Sequence, residues 1–361
     1  MEDNLVQEPL PGTGAVAHME SSPNSAGPVF ISGLERSGTS LLFALLASHP
    51  SLAMTRRTNL WTYFYNQFGD LSRTENFDRC LGQMMRYKRL VVLKPDAARI
   101  RREFLQGERT YGRLFEILQR NHAERLGKPR WGDKSLNTDR FTDQIFAAYP
   151  QARILHIIRD PRDRYASSRT RWQTMKGLAG AATAMWLSSI QRAQRNQRKY
   201  PDRYLIVRYE SLTSQPEATL RRICSFIGEE YSPQMLEMRG SGKFRERGGN
   251  SSYGTRRTTV TRDSIGRFRQ VLSKSEIAFM QACAGARMRA FDYSLDSIRF
   301  SWKDALLLYC FDGPINLARF LFWQFRESYE NRAGRKLPAY RIIPDSTATQ
   351  DAAEAKSKQS L

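Results

Sequence analysis

The first regular feature along the chain is a short apolar run, Val29-Phe30-Ile31-Ser32, closed by Gly33. A run that brief, ended by glycine, reads as a strand buried on both faces. Ser40 to Ser48 is almost continuously apolar and stops at His49-Pro50, which predicts a buried helix. Apolar positions then recur at helical spacing over about 74–88, 96–106 and 111–126. A further helix is expected from Thr138 to Tyr149, with Thr138 as its N-cap. Arg153 to Ile158 is a second buried-strand pattern and runs straight into Arg159-Asp160-Pro161. There Asp160 suits the N-cap and Pro161 the first turn of the next helix. A helix over 180–199, a strand at Tyr204–Val207 and helices over about 216–227 and 274–291 complete the pattern. Strands alternating with helices predict βαβ units around a mainly parallel sheet.

Three stretches depart from that rhythm. Residues 1–27 are polar and dotted with Pro, Gly and Ser, and the residues beyond Asp345 are small and polar; both are expected to be disordered tails. Residues 239–270 carry nine basic and two acidic residues among many Gly and Ser, as expected of a long loop that orders around an anion. Residues 302–333 are very apolar, with Leu306, Leu307, Leu308, Phe311, Leu317, Phe320, Leu321, Trp323 and Phe325 between Arg319 and Arg326. Two readings stand for them. One is a helical pair packed on the domain; the other is an interfacial helix that meets a membrane or a lipid-linked acceptor. Asp312-Gly313-Pro314 is expected to break the segment, which argues against a span. The expected organisation is therefore a main domain over 28–300, an apolar helical extension over 301–344, and the two tails.

Composition narrows the class. The 361 residues are 40% hydrophobic, ample for a core, which excludes a disordered or collagen-like chain. Cys80, Cys224, Cys283 and Cys310 stand far apart with no CxxC, so neither a disulfide scaffold nor a structural zinc site is indicated. No basic segment followed by an apolar one marks a leader, so the expected location is cytoplasmic, peripheral to a membrane. The net charge is +21, and of the 57 basic residues 45 are Arg. Such an excess serves nucleic acid, a membrane surface or anionic small molecules and glycans. The arginine bias favours forked contacts with phosphate or sulfate.

Two segments give that charge a place. Gly33-Leu34-Glu35-Arg36-Ser37-Gly38-Thr39-Ser40 joins a strand to a helix, a turn that aims backbone N–H groups and the positive helix end at one spot. It resembles a phosphate-binding loop but lacks the GK[ST] lysine, so the usual grip on nucleotide β- and γ-phosphates is missing. Arg159-Asp160-Pro161-Arg162-Asp163-Arg164-Tyr165-Ala166-Ser167-Ser168 again joins a strand to a helix and places Arg and Ser to clamp a second anion. Two anion sites at the carboxyl ends of parallel strands fit an open α/β sheet, and predict a ligand with two separated anionic groups. The expected fold is a P-loop-like three-layer α/β sandwich, a central parallel sheet flanked by helices.

At these two segments the chain resembles the sulfotransferases that use 3′-phosphoadenosine 5′-phosphosulfate (PAPS). The likeness is nearest to the group holding tyrosylprotein and many bacterial sulfotransferases. The first segment resembles the family's 5′-phosphosulfate loop and the second its 3′-phosphate strand and helix. Trp131-Gly132-Asp133-Lys134-Ser135, Val207-Arg208-Tyr209-Glu210-Ser211-Leu212 and Ser264-Ile265-Gly266-Arg267-Phe268 continue the likeness in order, over about 28–293. The resemblance implies that Arg36, Ser37, Gly38, Thr39 and Ser40 hold the 5′-phosphosulfate. It gives Arg159 and Ser167 the 3′-phosphate, and Tyr209 and Arg267 the walls of the nucleotide site. Lys134 matches the lysine at the transferring group, and Ser252 a serine near the sulfuryl. PAPS is the implied co-substrate, and no metal is expected, because sulfuryl transfer carries less charge than phosphoryl transfer and no acidic cluster demands an ion.

One departure concerns the general base. In the tyrosylprotein group a catalytic Glu follows the loop beyond a His-Pro pair, and here that position holds Arg57. Arginine does not act as a base at neutral pH. Asp133, beside Lys134, and Glu35, inside the loop, are alternatives; in a third reading Arg56 and Arg57 bind an anionic acceptor while another residue takes the proton. Arg36, Lys134 and Asp133 are the expected catalytic set. His49, His122 and His156 are weaker candidates, His156 being a core residue by its apolar strand. The expected acceptor is a hydroxyl of a carbohydrate or glycan, then of a lipid or glycolipid, then of a protein tyrosine. Nucleic acid is not an expected partner. The rival classes are a P-loop-like nucleotide kinase and a non-catalytic polyanion-binding module.

Overall fold

Strand β1, Val29–Ser32, is fully buried and lies at the centre of the sheet. The computed structural model describes residues 26–172, 177–238, 260–333, 338 and 341–343. Within them β2 (Leu52–Arg56), β3 (Arg130–Lys134), β4 (Arg153–Ile158) and β5 (Tyr204–Arg208) pair in parallel in the order β2-β3-β1-β4-β5. Both faces are covered, as all-parallel sheets require. Phe30, Ala53, Trp131 and Ile154 pack on one side with the helix Tyr111–Arg125. Val29, Ile31, Met54, Leu155 and Val207 pack on the other with the helices Thr39–Ala47 and Pro216–Ile227. The result is the expected three-layer α/β sandwich.

The expected helices appear at Thr74–Met85, Ala97–Leu105, Tyr111–Arg125, Ala179–Lys199, Pro216–Ile227 and Lys274–Arg289. Asp160 caps the helix Pro161–Arg171 by accepting from the Arg162 amide at 2.9 Å, with Pro161 in its first turn. Thr138 is not a cap. It opens a 3₁₀ turn and donates its hydroxyl to the Ser135 carbonyl at 2.8 Å, and the helix Thr142–Ala148 follows. Strand β2 has only the short apolar start Leu52-Ala53-Met54, and β3 carries no alternating or apolar signature. The buried strand Arg-Trp-Gly-Asp-Lys is tolerated because its polar groups find partners, Arg130 pairing with Glu229 at 2.9 Å.

The direction of chain crossing places the site. From β1 the chain leaves to reach β2 on one side; from β4 it leaves to reach β5 on the other. The crevice opens where those two departures diverge, at the carboxyl ends of β1 and β4. The C-terminal region is one helical path: Trp302–Leu307, a π turn at Leu308–Asp312, then Gly313–Ala333. The expected break at Asp312-Gly313-Pro314 is thus a five-residue π turn rather than an end, because Pro314 falls in the first turn of the next segment, where its missing N–H costs nothing. By length and composition alone Trp302–Glu330, 29 residues, is long and apolar enough to cross a membrane. The expected tails, most of the basic 239–270 loop, and Ser252 lie outside the described residues.

Candidate active site

The loop between β1 and the helix Thr39–Ala47 turns three times into the left-handed region, at Gly33 (φ 132°), Arg36 (φ 70°) and Gly38 (φ 100°). Gly38 is required twice over, for that φ and because a Cβ there would overlap the Tyr209 ring. No side chain caps the helix that Gly38 opens, so its first-turn N–H groups face the crevice without a side-chain partner. Ser37 and Thr39 are buried in this turn and Ser40 is half-buried.

The β4 segment closes on the same loop. Arg159 is buried, its guanidinium 4.5 Å above the Tyr209 ring, donating to the Arg36 carbonyl at 3.2 Å and the Ser264 carbonyl at 2.6 Å. Its Nε has no partner, and it forms no ion pair among the described residues. Arg164 is buried as well and donates to the Glu35 and Ala182 carbonyls at 3.4 and 3.1 Å; burial lowers its pKa to about 10. Arg36 reaches across the crevice. Its Nε and Nη2 donate to Ser167 Oγ at 3.0 and 2.8 Å, so the residues expected at two separate anion sites touch directly. Ser168 instead donates back to the Arg164 carbonyl within its own helix at 3.1 Å.

Lys134 ends β3 in register with Ile31 and Arg56, on the face of the sheet that carries the helix Thr39–Ala47. It is buried, and desolvation, reinforced by Arg57, lowers its pKa to about 8. Glu35, exposed in the loop, offsets part of that through its negative charge. Arg57 donates its amide to the Lys134 carbonyl at 2.6 Å, and its φ of 58° turns the chain away from β2. Arg56 and Arg57 are both exposed at this rim, Arg56 lying 5.8 Å from the Phe43 ring.

Asp133 is the correction. Alternation along β3 puts it on the opposite face from Lys134. It is fully buried and accepts from Thr55 Oγ1 at 2.7 Å, Thr58 Oγ1 at 2.9 Å and Ser135 Oγ at 2.7 Å. Desolvation raises its pKa, and its oxygens are committed to hydroxyls within the core. Asp133 ties the turns after β2 and β3 together and is a positioning residue, not the base. His156 accepts the core role expected of it, bonded to Tyr204 Oη at 2.7 Å and Ser189 Oγ at 3.2 Å, with burial lowering its pKa to about 4. His49 meets the Glu230 carbonyl at 2.8 Å, and burial lowers the pKa of His122 in its helix.

The region just described spans the stretch that matches a known family model, the sulfotransferase family, over residues 28–233. The chain belongs to the sulfotransferase family. The protein-tyrosine sulfotransferase of Drosophila melanogaster is 25% identical over 213 residues, 58% of this chain and 39% of that protein. The match therefore spans well under half of that relative. The sulfotransferase domain of the Synechococcus PCC 7002 olefin synthase superposes with a TM-score of 0.52 at 21% identity, covering 74% of this chain and 95% of that one, a likeness of fold. A mouse sulfotransferase complexed with PAP has a TM-score of 0.44 at 13% identity, over 73% and 85% of the two chains. Sulfotransferases of this family draw on PAPS as donor, and the nucleotide-kinase reading falls away.

Several residues of this sulfotransferase site escape sequence reasoning. Asp163 accepts from the Gly266 and Phe268 amides at 2.7 and 2.9 Å and so fastens the segment that carries Arg267 onto the start of the helix Pro161–Arg171. Arg267 itself is half-buried there. Glu210 accepts from the Asp160 amide at 2.9 Å, and Trp186 Nε1 donates to the Arg159 carbonyl at 2.9 Å. Asp163 lies inside the Arg159–Ser168 motif and Glu210 inside Val207–Leu212, so a charged residue within a strand–helix turn was the available signal. Trp186 carried none. Among the described residues no group of three His, Cys, Asp or Glu is arranged to hold a metal ion.

Proposed function

We propose that this protein transfers the sulfuryl group of PAPS to a hydroxyl of an anionic carbohydrate or glycan, yielding a sulfate ester and 3′-phosphoadenosine 5′-phosphate (PAP). The observation that carries the reading is a set of three buried cations, Arg159, Arg164 and Lys134, around one glycine-bounded loop, none ion-paired among the described residues. Unpaired buried charge is costly, so such a set is best understood as half of an ion pair whose other half is a ligand. A donor with a 5′-phosphosulfate and a 3′-phosphate supplies two anions of the right kind.

Most of the site residues then have a role. The amides at Gly38, Thr39 and Ser40 and the helix dipole receive the 5′ end. Arg159, Ser167 and the bridging Arg36 receive the 3′-phosphate. Tyr209 and Arg267 wall the nucleotide. Lys134, held as an ammonium by the anionic donor, meets the charge that grows on the leaving oxygen. Sulfuryl transfer is an in-line displacement, and by analogy with phosphoryl transfer positioning and preorganised positive charge supply most of its catalysis. With Asp133 saturated, Glu35 is the carboxylate we assign to the acceptor's proton. Its exposure in the loop and its electrostatic coupling to Lys134 support that choice. The exposed Arg56 and Arg57 support an anionic acceptor.

The test is calorimetric binding of PAP to the full chain, with AMP and ATP alongside and no metal added. Micromolar binding that depends on the 3′-phosphate is expected. Absence of binding, with steeply salt-dependent retention of polyanions, would replace this reading with a binding module. Labelled PAPS offered to an acidic glycan, a glycolipid and a tyrosine peptide then separates the acceptors, and transfer to the peptide alone would overturn the glycan assignment.

A further inference from the structure

The helical path Trp302–Glu330 is amphipathic in reverse. Its inward stripe holds the buried Trp323 and a set of polar groups bonded to the domain. Asn316 accepts from the Gly180 amide at 2.9 Å, Arg319 donates to the Gly177 carbonyl, and Glu327 pairs with Arg140 and, at 3.1 Å, with Arg192. Gly180 lies so near the Asn316 backbone that a Cβ there would overlap it, so the helix is held against Ala179–Lys199 at backbone distance. The outward face is apolar. Leu317, Leu321, Phe322, Phe325 and Tyr329 recur at spacings that share one side of a helix, and all are exposed, Phe325 by 73%. Trp302, Leu306, Tyr309 and Phe311 extend the face through the π turn, and Trp302 and Tyr309 are each more than 70% exposed. An apolar face of that length on a folded protein marks a surface that is covered in use.

We propose that this helix lies in the plane of an anionic lipid bilayer, its outer face in the boundary between headgroups and acyl chains. Three observations favour a bilayer over a protein partner. The face is rich in Trp, Tyr and Phe, residues suited to that boundary. Lys303 and Arg326 stand at its edges, the sequence continues with Arg332, Arg335 and Lys336, and the chain carries +21, complementary to anionic headgroups. The polar stripe is bonded to the domain, so a span would have to strip Glu327 of both arginines, whereas a helix in the interface keeps them. The proposal rests on the helix alone and not on the donor reading.

Flotation of the full chain with phosphatidylcholine vesicles, with and without phosphatidylglycerol, tests it. The protein should float with the anionic vesicles, and Leu321→Ser/Phe322→Ser/Phe325→Ser should weaken that by at least tenfold with its unfolding midpoint unchanged. A second variant, Lys303→Glu/Arg326→Glu, should lose binding to anionic vesicles without touching the apolar face. Failure of the wild type to float overturns the proposal. So does a wild-type dimer in solution that the three serines split while vesicle binding stays at background, which would make the face a contact between two copies. Retention of the protein in the bilayer after alkaline carbonate washing would make the segment a span and overturn it equally.

Discussion

Lys134 has two opposed settings. Burial lowers its pKa to about 8, far below the ordinary 10.5, so in the ligand-free protein its charge works against the fold. The sign follows from linkage. Between about pH 8 and 10.5 the unfolded chain holds the extra proton, so stability rises with pH across that window, and below it the penalty is complete. Lys134→Met should therefore raise the unfolding midpoint of the ligand-free protein while abolishing turnover, which calorimetry and a sulfate-transfer assay check together. The ammonium form is the useful one, so kcat/KM for PAPS should fall as pH rises through about 8. Arg159→Ala removes a charge-assisted contact and should weaken PAP by roughly 2 kcal/mol or more in calorimetry, about thirtyfold. Glu35→Gln should lower kcat by about 10²-fold or more with PAP affinity little changed, the mark of a general base; retained kcat would return the proton to another group.

At the scale of elements, the site is a joint between two strand–helix turns. Gly38 lets the Tyr209 ring close on the loop, and Arg36 and Ser167 lock the loop to the helix Pro161–Arg171. Asp163 adds a third segment by holding the Gly266 and Phe268 amides. That arrangement predicts an effect without contact. Asp163→Ala should speed amide exchange at Gly266 and Phe268 and weaken PAP severalfold, because the segment bearing Arg267 is no longer held in place. Unchanged exchange there would show that the segment stands without Asp163.

For the whole molecule, three buried cations that form no ion pair among the described residues, Arg159, Arg164 and Lys134, cost the ligand-free fold stability. A bound dianion should return that stability. At a PAP concentration 100-fold above Kd, linkage adds about 2.7 kcal/mol, so the unfolding midpoint should rise by about 4 °C, and AMP, lacking the 3′-phosphate, should do far less. Equal shifts from both nucleotides would remove the 3′ clamp from the account. Charge also acts at longer range. A net charge of +21 attracts anionic ligands to the molecule, and that attraction weakens as salt rises.

What the sequence determined by itself is what short-range rules encode. Most buried parallel strands read as apolar runs, so β1, β4 and β5 and most helices were legible, as were Asp160 and Pro161 at a helix start. Glycines and hydroxyls at fixed offsets from Arg36 and Arg159 marked the two candidate anion sites, because backbone conformation and donor chemistry are local demands. The tertiary structure decided what depends on neighbours remote in sequence. Strand β3 is polar and buried only because Glu229 and the hydroxyls of Thr55 and Thr58 come to it across the fold. Asp133 and Lys134 are adjacent in the chain, yet the pleat sends them to opposite faces, one into a saturated network and the other toward the loop. Arg36 meets Ser167 across 131 positions. The apolar C-terminal helix turned its polar stripe inward only because Gly180, Arg140 and Arg192 were there to receive it, a fact no pattern within the helix contains.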